Sequence, residues 1–197
     1  MKYQAAILVI LFSIFLSDYG VAQPDKKNSN ILSVGYGFAS MQTVFGMSNF
    51  KESGYNVTEE SGTGPIYIKY SYVFNGMGVG LNYATERREY ISNQNGYTYK
   101  EVMENTTWQL RIDNDYDSVF ANKNLILYWG LAAGYKDASW KYTSNDSTYN
   151  KRDEAPIMPW AMECTVGVRY HFSKYIGAFS EVGLAKSVFQ FGICGKF

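Results

Sequence analysis

The stretch Trp160-Ala-Met-Glu-Cys-Thr-Val-Gly-Val-Arg-Tyr-His-Phe172 decides the fold class of this chain, because its residues alternate between two kinds. The odd positions, from Ala161 to His171, are small, polar or charged. The even positions are apolar or aromatic, and they are Trp160, Met162, Cys164, Val166, Val168, Tyr170 and Phe172. A period of two places the two sets on opposite faces of a β-strand. A run of this length exceeds the usual strand of a soluble sandwich.

Seven further segments of the chain alternate in the same way. Their apolar faces hold Leu32, Val34, Tyr36 and Phe38, then Ile66, Ile68, Tyr70, Tyr72 and Phe74, then Met77, Val79, Leu81 and Tyr83, then Trp108, Leu110 and Ile112, then Leu125, Leu127, Trp129, Leu131 and Tyr135, then Ile176, Ala178, Val182 and Leu184, and finally Phe189, Phe191, Ile193 and Phe197. Single-chain bacterial barrels have an even number of strands. The sequence therefore predicts an all-β fold, an eight-stranded antiparallel up-and-down transmembrane β-barrel.

The apolar faces must point outward in this fold, because eight strands enclose an interior just wide enough for side chains. The same argument disfavours a passive pore. The opposite faces carry charges of both signs, and we expect these to pair because an isolated buried ion is costly. The predicted interior polar network consists of Lys69, Arg111, Lys136, Glu163, Arg169, His171, Glu181 and Lys196. A soluble lipocalin-like barrel with its apolar face inside is the rival fold.

Aromatic residues gather near the predicted strand ends, where interfacial girdles are expected. The predicted girdle consists of Trp108 and Trp160 towards one rim, and of Phe74, Tyr170, Phe172 and Phe197 towards the other.

The connections predict two unlike rims. Asn75-Gly76 is a primed-type hairpin turn, and Ser173-Lys174 is also short. Three long polar connections are predicted at the other rim, at Thr43–Thr63, Arg87–Tyr97 and Asp137–Pro159. Two connections depart from this sorting, since Asp113–Lys123 is long and Ala185–Ser187 is short. Short periplasmic turns and long outer loops are typical of outer-membrane barrels with both termini in the periplasm.

The N-terminus has the pattern of an export signal. Lys2 is followed by the apolar run Ala5–Leu16, and Gly20-Val21-Ala22 offers small residues for cleavage. The expected organisation is a cleaved signal peptide over residues 1–22, a short periplasmic segment over 23–30 and the barrel over 31–197. The expected location is the outer membrane of a Gram-negative bacterium.

Composition excludes some classes of protein. The chain of 197 residues carries 18 basic and 18 acidic residues, so it lacks the basic excess of a nucleic-acid binder. Beyond the signal segment no run of 18 apolar residues predicts a membrane helix. The two cysteines, Cys164 and Cys194, fall on non-adjacent strands and opposite faces, and we expect them to be unpaired.

Three segments carry a family resemblance. Asn124–Tyr135, Thr165–Phe172 and Ile176–Gly183 resemble strands of the small outer-membrane β-barrel family of the OmpX/PorT-like type. The terminal Gly195-Lys196-Phe197 resembles the aromatic signal read by outer-membrane assembly machinery. The resemblance implies a fold and a location, and it implies neither a single activity nor catalytic residues.

Two local motifs invite a chemical interpretation. His171-Phe172-Ser173 resembles the His-x-Ser pair of eight-stranded lipid A deacylases, but the topology places it at the periplasmic end, and we favour an interior structural histidine. Asp113-Asn-Asp-Tyr-Asp-Ser118 has the opening of a calcium loop, yet Ser118 replaces the glycine and Asn124 the final glutamate. A solvated acidic turn is the favoured interpretation. The sequence thus predicts no catalytic, cofactor or metal site.

The sequence favours a non-enzymatic outer-membrane barrel with a structural or binding role through its outer loops, where function on rigid barrels concentrates. Expected partners are outer-membrane lipid, lipopolysaccharide and the assembly machinery, with no nucleic acid. Two alternatives remain, an accessory barrel of a secretion or export system and a lipid A-modifying enzyme.

Overall fold

The computed structural model describes residues 28–40, 56–116, 124–146, 159–184 and 186–197. The predicted signal peptide, residues 1–22, lies outside these ranges. The described chain forms eight strands, which are β1 (Asn28–Ser40), β2 (Glu59–Phe74), β3 (Met77–Gln94), β4 (Tyr97–Tyr116), β5 (Leu125–Ser144), β6 (Trp160–His171), β7 (Ile176–Leu184) and β8 (Ser187–Lys196). Within the described ranges no helix has the length and apolarity needed to cross a membrane.

The eight strands close into a barrel in which each strand pairs with its neighbours in the sequence. All pairs are antiparallel, and β1 closes the barrel by pairing with both β2 and β8. Tyr36, for example, lies opposite Ile66 on one side and Phe191 on the other. The predicted fold class, an eight-stranded antiparallel up-and-down barrel, is therefore confirmed.

The faces of the strands are also as predicted. Outward side chains are apolar and exposed, as at Leu110 (69%) and Met162 (80%), whereas inward positions of the same strands are buried. An apolar exterior of this extent would be unfavourable in water, and it is the surface by which a transmembrane barrel contacts lipid. The rival lipocalin-like fold, with its apolar face inside, is excluded by this arrangement.

The predicted long loop at Arg87–Tyr97 is wrong. Strand β3 continues to Gln94 and β4 starts at Tyr97, so a two-residue turn joins them. Asn95 (φ 54°) and Gly96 (φ 81°) adopt the same left-handed backbone as Asn75 (φ 50°) and Gly76 (φ 81°). This is the type I′ geometry that twists in the same sense as the flanking strands.

Two other predicted loops are shorter than expected. Strand β5 runs to Ser144, well into the Asp137–Pro159 segment, and β2 already begins at Glu59 within Thr43–Thr63. The remainders of both loops fall largely outside the described residues. Strand β4 likewise extends into the predicted Asp113–Lys123 connection, as far as Tyr116.

The connection between β7 and β8 agrees with the prediction, whereas the start of β1 does not. The short connection between β7 and β8 at Ala185–Ser187 is confirmed, since β7 ends at Leu184 and β8 begins at Ser187. Strand β1 begins at Asn28, inside the segment expected to precede the barrel, because Asn28–Asn30 already pair with Tyr72–Phe74 of β2.

A row of aromatic residues divides the molecule into two parts. Tyr83, Trp108, Tyr135 and Trp160 lie opposite one another across β3 to β6, and all four point outward. We call the apolar outer surface on the side of the Asn75-Gly76 turn the belt. We call residues 59–63, 85–94, 97–106 and 137–144, which continue the strands beyond that row, the extension.

On β6 the belt has the height of a membrane core. Trp160 and Tyr170 mark its two ends and lie ten residues apart. That separation is about 33 Å along the strand at the usual rise per residue. A tilt of about 40° reduces it to about 25 Å, the height of the apolar band of outer-membrane barrels.

Candidate functional site

Arg111 occupies the centre of the barrel interior and is 1% exposed. Its guanidinium donates to Asp113 Oδ1 at 2.7 Å, to Glu181 Oε1 at 3.1 Å and to Glu163 Oε1. Gly130 makes room for it from the neighbouring strand, because a methyl group there would collide with the guanidinium. Strands β4, β6 and β7 thus contribute to one buried ion-pair cluster.

Further side chains complete this central cluster. Lys69 donates to Glu181 Oε2 at 2.5 Å, and Lys186 donates to Glu163 Oε2 at 2.7 Å. The Tyr128 hydroxyl donates to Glu181 Oε1 at 2.8 Å. The three bases Lys69, Arg111 and Lys186 therefore balance the three acids Asp113, Glu163 and Glu181, so the interior is filled at this level by a neutral set of charges.

Four residues of the predicted interior network belong to this cluster, namely Lys69, Arg111, Glu163 and Glu181. Arg169 lies inward but pairs with Asp115 instead, at 3.3 Å. Lys136, His171 and Lys196 also face inward, and no ion pair joins them to any described residue. The predicted network therefore consists of two ion-paired groups, with Tyr128 in contact with both, and of three side chains that form no ion pair with a described residue. Pairing depends on height in the barrel as well as on face.

As far as Tyr116, the acidic segment after Arg111 is part of strand β4 and not a solvated turn. Asp113 and Asp115 continue β4 with their side chains inward, where Asp113 accepts from Arg111 and from Ser71, and Asp115 accepts from Arg169. The alternation of Arg111, Asp113 and Asp115 was the signal for this placement. No group of His, Cys, Asp and Glu in the described ranges could hold a metal ion.

The predicted girdle residues lie at the edges of the belt. Trp108 and Trp160 belong to the aromatic row, where Trp108 packs against Tyr83 with ring centroids 4.3 Å apart. Tyr170 and Phe172 meet edge to face at 5.3 Å near the opposite rim. Phe74 precedes the Asn75-Gly76 turn, and the Phe197 backbone pairs with that of Asn30. Sequence reasoning missed a further aromatic group on β1 and β8, formed by Tyr36, Phe38, Phe189 and Phe191.

The outer face of the extension is mostly polar and charged, with Ile91 and Val102 as aliphatic members, whereas the belt is apolar. Arg87 and Lys141 both contact Glu104, at 3.5 and 3.6 Å, and Lys100 contacts Glu89 at 2.7 Å. These side chains point to the same side of their strands as the lipid-facing residues of the belt. The change from apolar to charged side chains therefore occurs at the aromatic row.

The inner face of the extension has a small core of its own. Tyr90 (4%) and Tyr99 (7%) are buried, and Val57 and Tyr142 pack against them. The tip of the extension is held by the Ser92 hydroxyl, which donates to the Asn56 carbonyl at 2.7 Å. Arg88 joins Glu86 and Glu60 on the inner side. The extension is thus a packed sheet that projects beyond the belt.

His171 does not form a serine–histidine pair with Ser173. The Ser173 hydroxyl accepts hydrogen bonds from the backbone N–H groups of Tyr175 and Ile176. Neither ring nitrogen of His171 has a hydrogen-bond partner among the described residues. The geometry that a hydroxyl nucleophile needs is therefore not present at this motif.

The two cysteines are unpaired, as predicted. Cys164 is exposed on the outer surface and Cys194 is buried inside the barrel.

The extension, rather than a cysteine or a histidine site, is the candidate functional surface, because the side chains of the central cluster already satisfy one another.

No family model matches the chain, and no curated protein matches it. Among solved structures it is similar to Ail, the attachment invasion locus protein of Yersinia pestis, in complex with the heparin analogue sucrose octasulfate, at 15% identity over 86% of this chain and 99% of that one, with a TM-score of 0.45.

Two further structures are similar to the chain. One is Yersinia pestis Ail in a phospholipid bilayer nanodisc, at 19% identity over 86% of this chain and 99% of that one, with a TM-score of 0.37. The other is Neisserial surface protein A, at 11% identity over 86% and 92%, with a TM-score of 0.32. Likeness at this level carries no functional conclusion. The fold follows from the strands themselves, and the chain is an eight-stranded antiparallel barrel, the fold that the OmpX/PorT-like resemblance implied.

Proposed function

We propose that this protein is a non-enzymatic outer-membrane barrel whose extension is a binding surface outside the cell. The observation that carries the proposal is the aromatic row, at which the outward faces of β3, β4 and β5 change from apolar to charged. Lipid favours the first kind of surface and water the second. The extension would then stand in the aqueous layer outside the lipid core.

The position of the extension relative to the belt supports an outer-membrane location with the extension outside the cell. The end of the barrel that carries the Asn75-Gly76 turn also carries the start of β1 and the end of β8. This end would face the periplasm, as in other barrels of this size. Residues 1–22 would serve as the export signal, and Phe197 would be read by the assembly machinery. The first contacts of the extension would be the sugars and phosphates of lipopolysaccharide, since Arg87 and Lys141 are outward basic residues beyond the aromatic row.

A binding role is favoured over catalysis by the distribution of reactive groups. The barrel interior is neutral and internally hydrogen-bonded at its centre, and the sole histidine lies at the opposite end from the extension. A lipid-modifying enzyme acting at the outer leaflet would need its nucleophile and base at the extension side.

Fractionation with heat-modifiability on a gel tests the membrane part of the proposal. The full chain is expected in the outer-membrane fraction and should migrate faster unboiled than boiled, because a closed barrel resists detergent. A soluble periplasmic protein with an unchanged band would contradict it.

A shortened hairpin tests the role of the extension. Residues 87–104 are replaced by an Asn-Gly turn, so that β3 and β4 end just beyond the aromatic row. We expect the gel shift to persist and binding to lipopolysaccharide vesicles to fall, whereas equal binding would argue against the extension. Mass spectra of lipid A with and without the intact protein should be identical, and a changed spectrum would favour the enzymatic alternative. Co-purification of export components would favour the accessory-barrel alternative.

A further inference from the structure

A second interior feature lies at the end of the barrel that carries the Asn75-Gly76 turn. A cavity of about 540 Å³ opens there, lined by inward side chains from most of the strands. We call it the turn-end cavity. Among the described residues its ionisable lining consists of Arg169, His171, Lys196 and a single acid, Asp115. The lining side chains that β1, β2 and β5 contribute are uncharged.

Arg169 is held firmly but incompletely satisfied. It is 5% exposed, and its guanidinium lies 4.5 Å from the centre of the Tyr128 ring. One Nη donates to Asp115 Oδ2 at 3.3 Å, while Nε has no hydrogen-bond partner among the described residues. The side chain is thus fixed in place with one buried N–H group still available.

His171 and Lys196 add unpaired groups to the same cavity. Both ring nitrogens of His171 are buried and have no partner within the described part of the chain. The same ranges contain no ion pair to the Lys196 ammonium, and the only lining acid is already engaged with Arg169. Buried polar groups in native proteins are almost always satisfied by protein, water or an ion. The described lining of the cavity therefore carries an excess of donors and of positive charge.

We propose that the turn-end cavity binds a phosphate-type oxyanion. Its oxygens would accept from Arg169 Nε, from a ring N–H of His171 and from the Lys196 ammonium. A planar carboxylate is a poorer fit, because its preferred bidentate contact needs the full arginine fork, and Asp115 already occupies part of that fork. A tetrahedral anion can accept from three separate side chains on β6 and β8. Free phosphate and the phosphodiester of a phospholipid headgroup share this chemistry.

The single histidine of the chain provides a direct reporter. The barrel is refolded in a detergent without phosphate, and the ring-proton NMR signals of His171 are followed during titration with inorganic phosphate. Sodium chloride at matched ionic strength is the reference. We expect a saturable shift with phosphate and none with chloride. Equal shifts with the two salts would overturn the proposal, and this comparison needs no variant.

Two matched variants locate the binding. Lys196→Gln should weaken phosphate binding about 10-fold, the loss expected for one charge-assisted hydrogen bond, whereas Lys196→Arg should retain it. Lys174→Gln, in the exposed turn between β6 and β7 and outside the cavity lining, is the control and should bind as the unmodified protein does. Heat-modifiability checks that each variant is folded. Unchanged affinity in folded Lys196→Gln would overturn the assignment.

A second titration distinguishes the sources of phosphate. Short-chain phosphatidylglycerol replaces inorganic phosphate in the same detergent. A shift of the His171 signals with both ligands, or with inorganic phosphate alone, identifies a site for a free anion. A shift with the lipid alone identifies a headgroup site, and a shift with neither overturns the proposal.

Discussion

Strand β4 passes through two environments, and its residues obey different rules on either side of Trp108. Between Trp108 and Asp113 the outward Leu110 and Ile112 are apolar, whereas the inward Arg111 and Asp113 are charged and buried. Between Tyr97 and Trp108 the outward face carries Lys100 and Glu104, and the inward face includes the buried Tyr99 and Met103. The same backbone pairing continues through both halves, so the difference arises from the solvent outside the sheet. Three experiments compare the belt and the extension directly.

The largest effect is expected from ion pairs. Arg111→Met leaves Glu163, Glu181 and Asp113 buried without their main partner, and the loss of one member of a buried cluster costs about 3–5 kcal/mol of unfolding free energy. Arg87→Met removes a pair whose side chains are 59% and 44% exposed. Exposed pairs contribute about 0–1 kcal/mol.

Urea unfolding in lipid vesicles measures both values, with the unboiled gel band as the test of folding. Similar losses for Arg111→Met and Arg87→Met would mean that the two ion-pair sets are equally solvated. The division at the aromatic row would then be incorrect.

The next effect concerns the outward face. Ile112 and Val102 are aliphatic, β-branched and outward on the same strand, but they lie on opposite sides of Trp108. Ile112→Arg places a charge in lipid and should cost about 2–4 kcal/mol. Val102→Arg places it in water and should change stability by less than about 0.5 kcal/mol.

The same vesicle assay applies to this pair, since both variants carry the same new side chain. If Val102→Arg costs as much as Ile112→Arg, the lipid contact reaches further along β4 than the aromatic row indicates. If neither has an effect, the belt does not contact lipid.

The smallest effect concerns the two identical turns. Gly76 and Gly96 both have φ 81°, and an alanine at either would be strained by about 1–2 kcal/mol. A Cβ at Gly96 meets nothing within 4 Å, and one at Gly76 meets only the Asp115 carbonyl at 3.4 Å. The steric costs of the two alanines are therefore alike. The variants differ in location, because the Gly76 turn belongs to the belt and the Gly96 turn to the extension.

Gly76→Ala should lower the global unfolding free energy, because its turn joins β2 and β3 at the edge of the belt. Gly96→Ala should accelerate amide hydrogen exchange near Tyr97 and Tyr99 and leave global unfolding unchanged. Equal global losses would show that the extension and the belt unfold together as one unit.

Much of the fold was predictable from one physical rule. Inside the membrane, lipid requires an apolar outward face and the narrow interior requires small or paired polar side chains, so period-two alternation identifies every strand there. This is why the eight strands, their faces and the opposite placement of Cys164 and Cys194 follow from the sequence. Asn75-Gly76 was likewise sufficient to place a turn, and Asn95-Gly96 carried the same signal in a segment predicted to be a loop.

The lengths of the strands and the pairing of the charges were decided by the tertiary structure. Outside the lipid the outward face has no need to be apolar, so the pattern is lost at Arg87 and Glu89 even though the hydrogen-bonded ladder continues. Partners inside the barrel are fixed by closure and register, which bring Lys69 against Glu181 across 112 residues of sequence. The sequence alone determined which side chains face inward, because that depends only on alternation. The closed barrel decided which of these side chains meet, because only closure sets the relative heights of side chains on distant strands. It also decided that Arg169, His171 and Lys196 lie around one cavity.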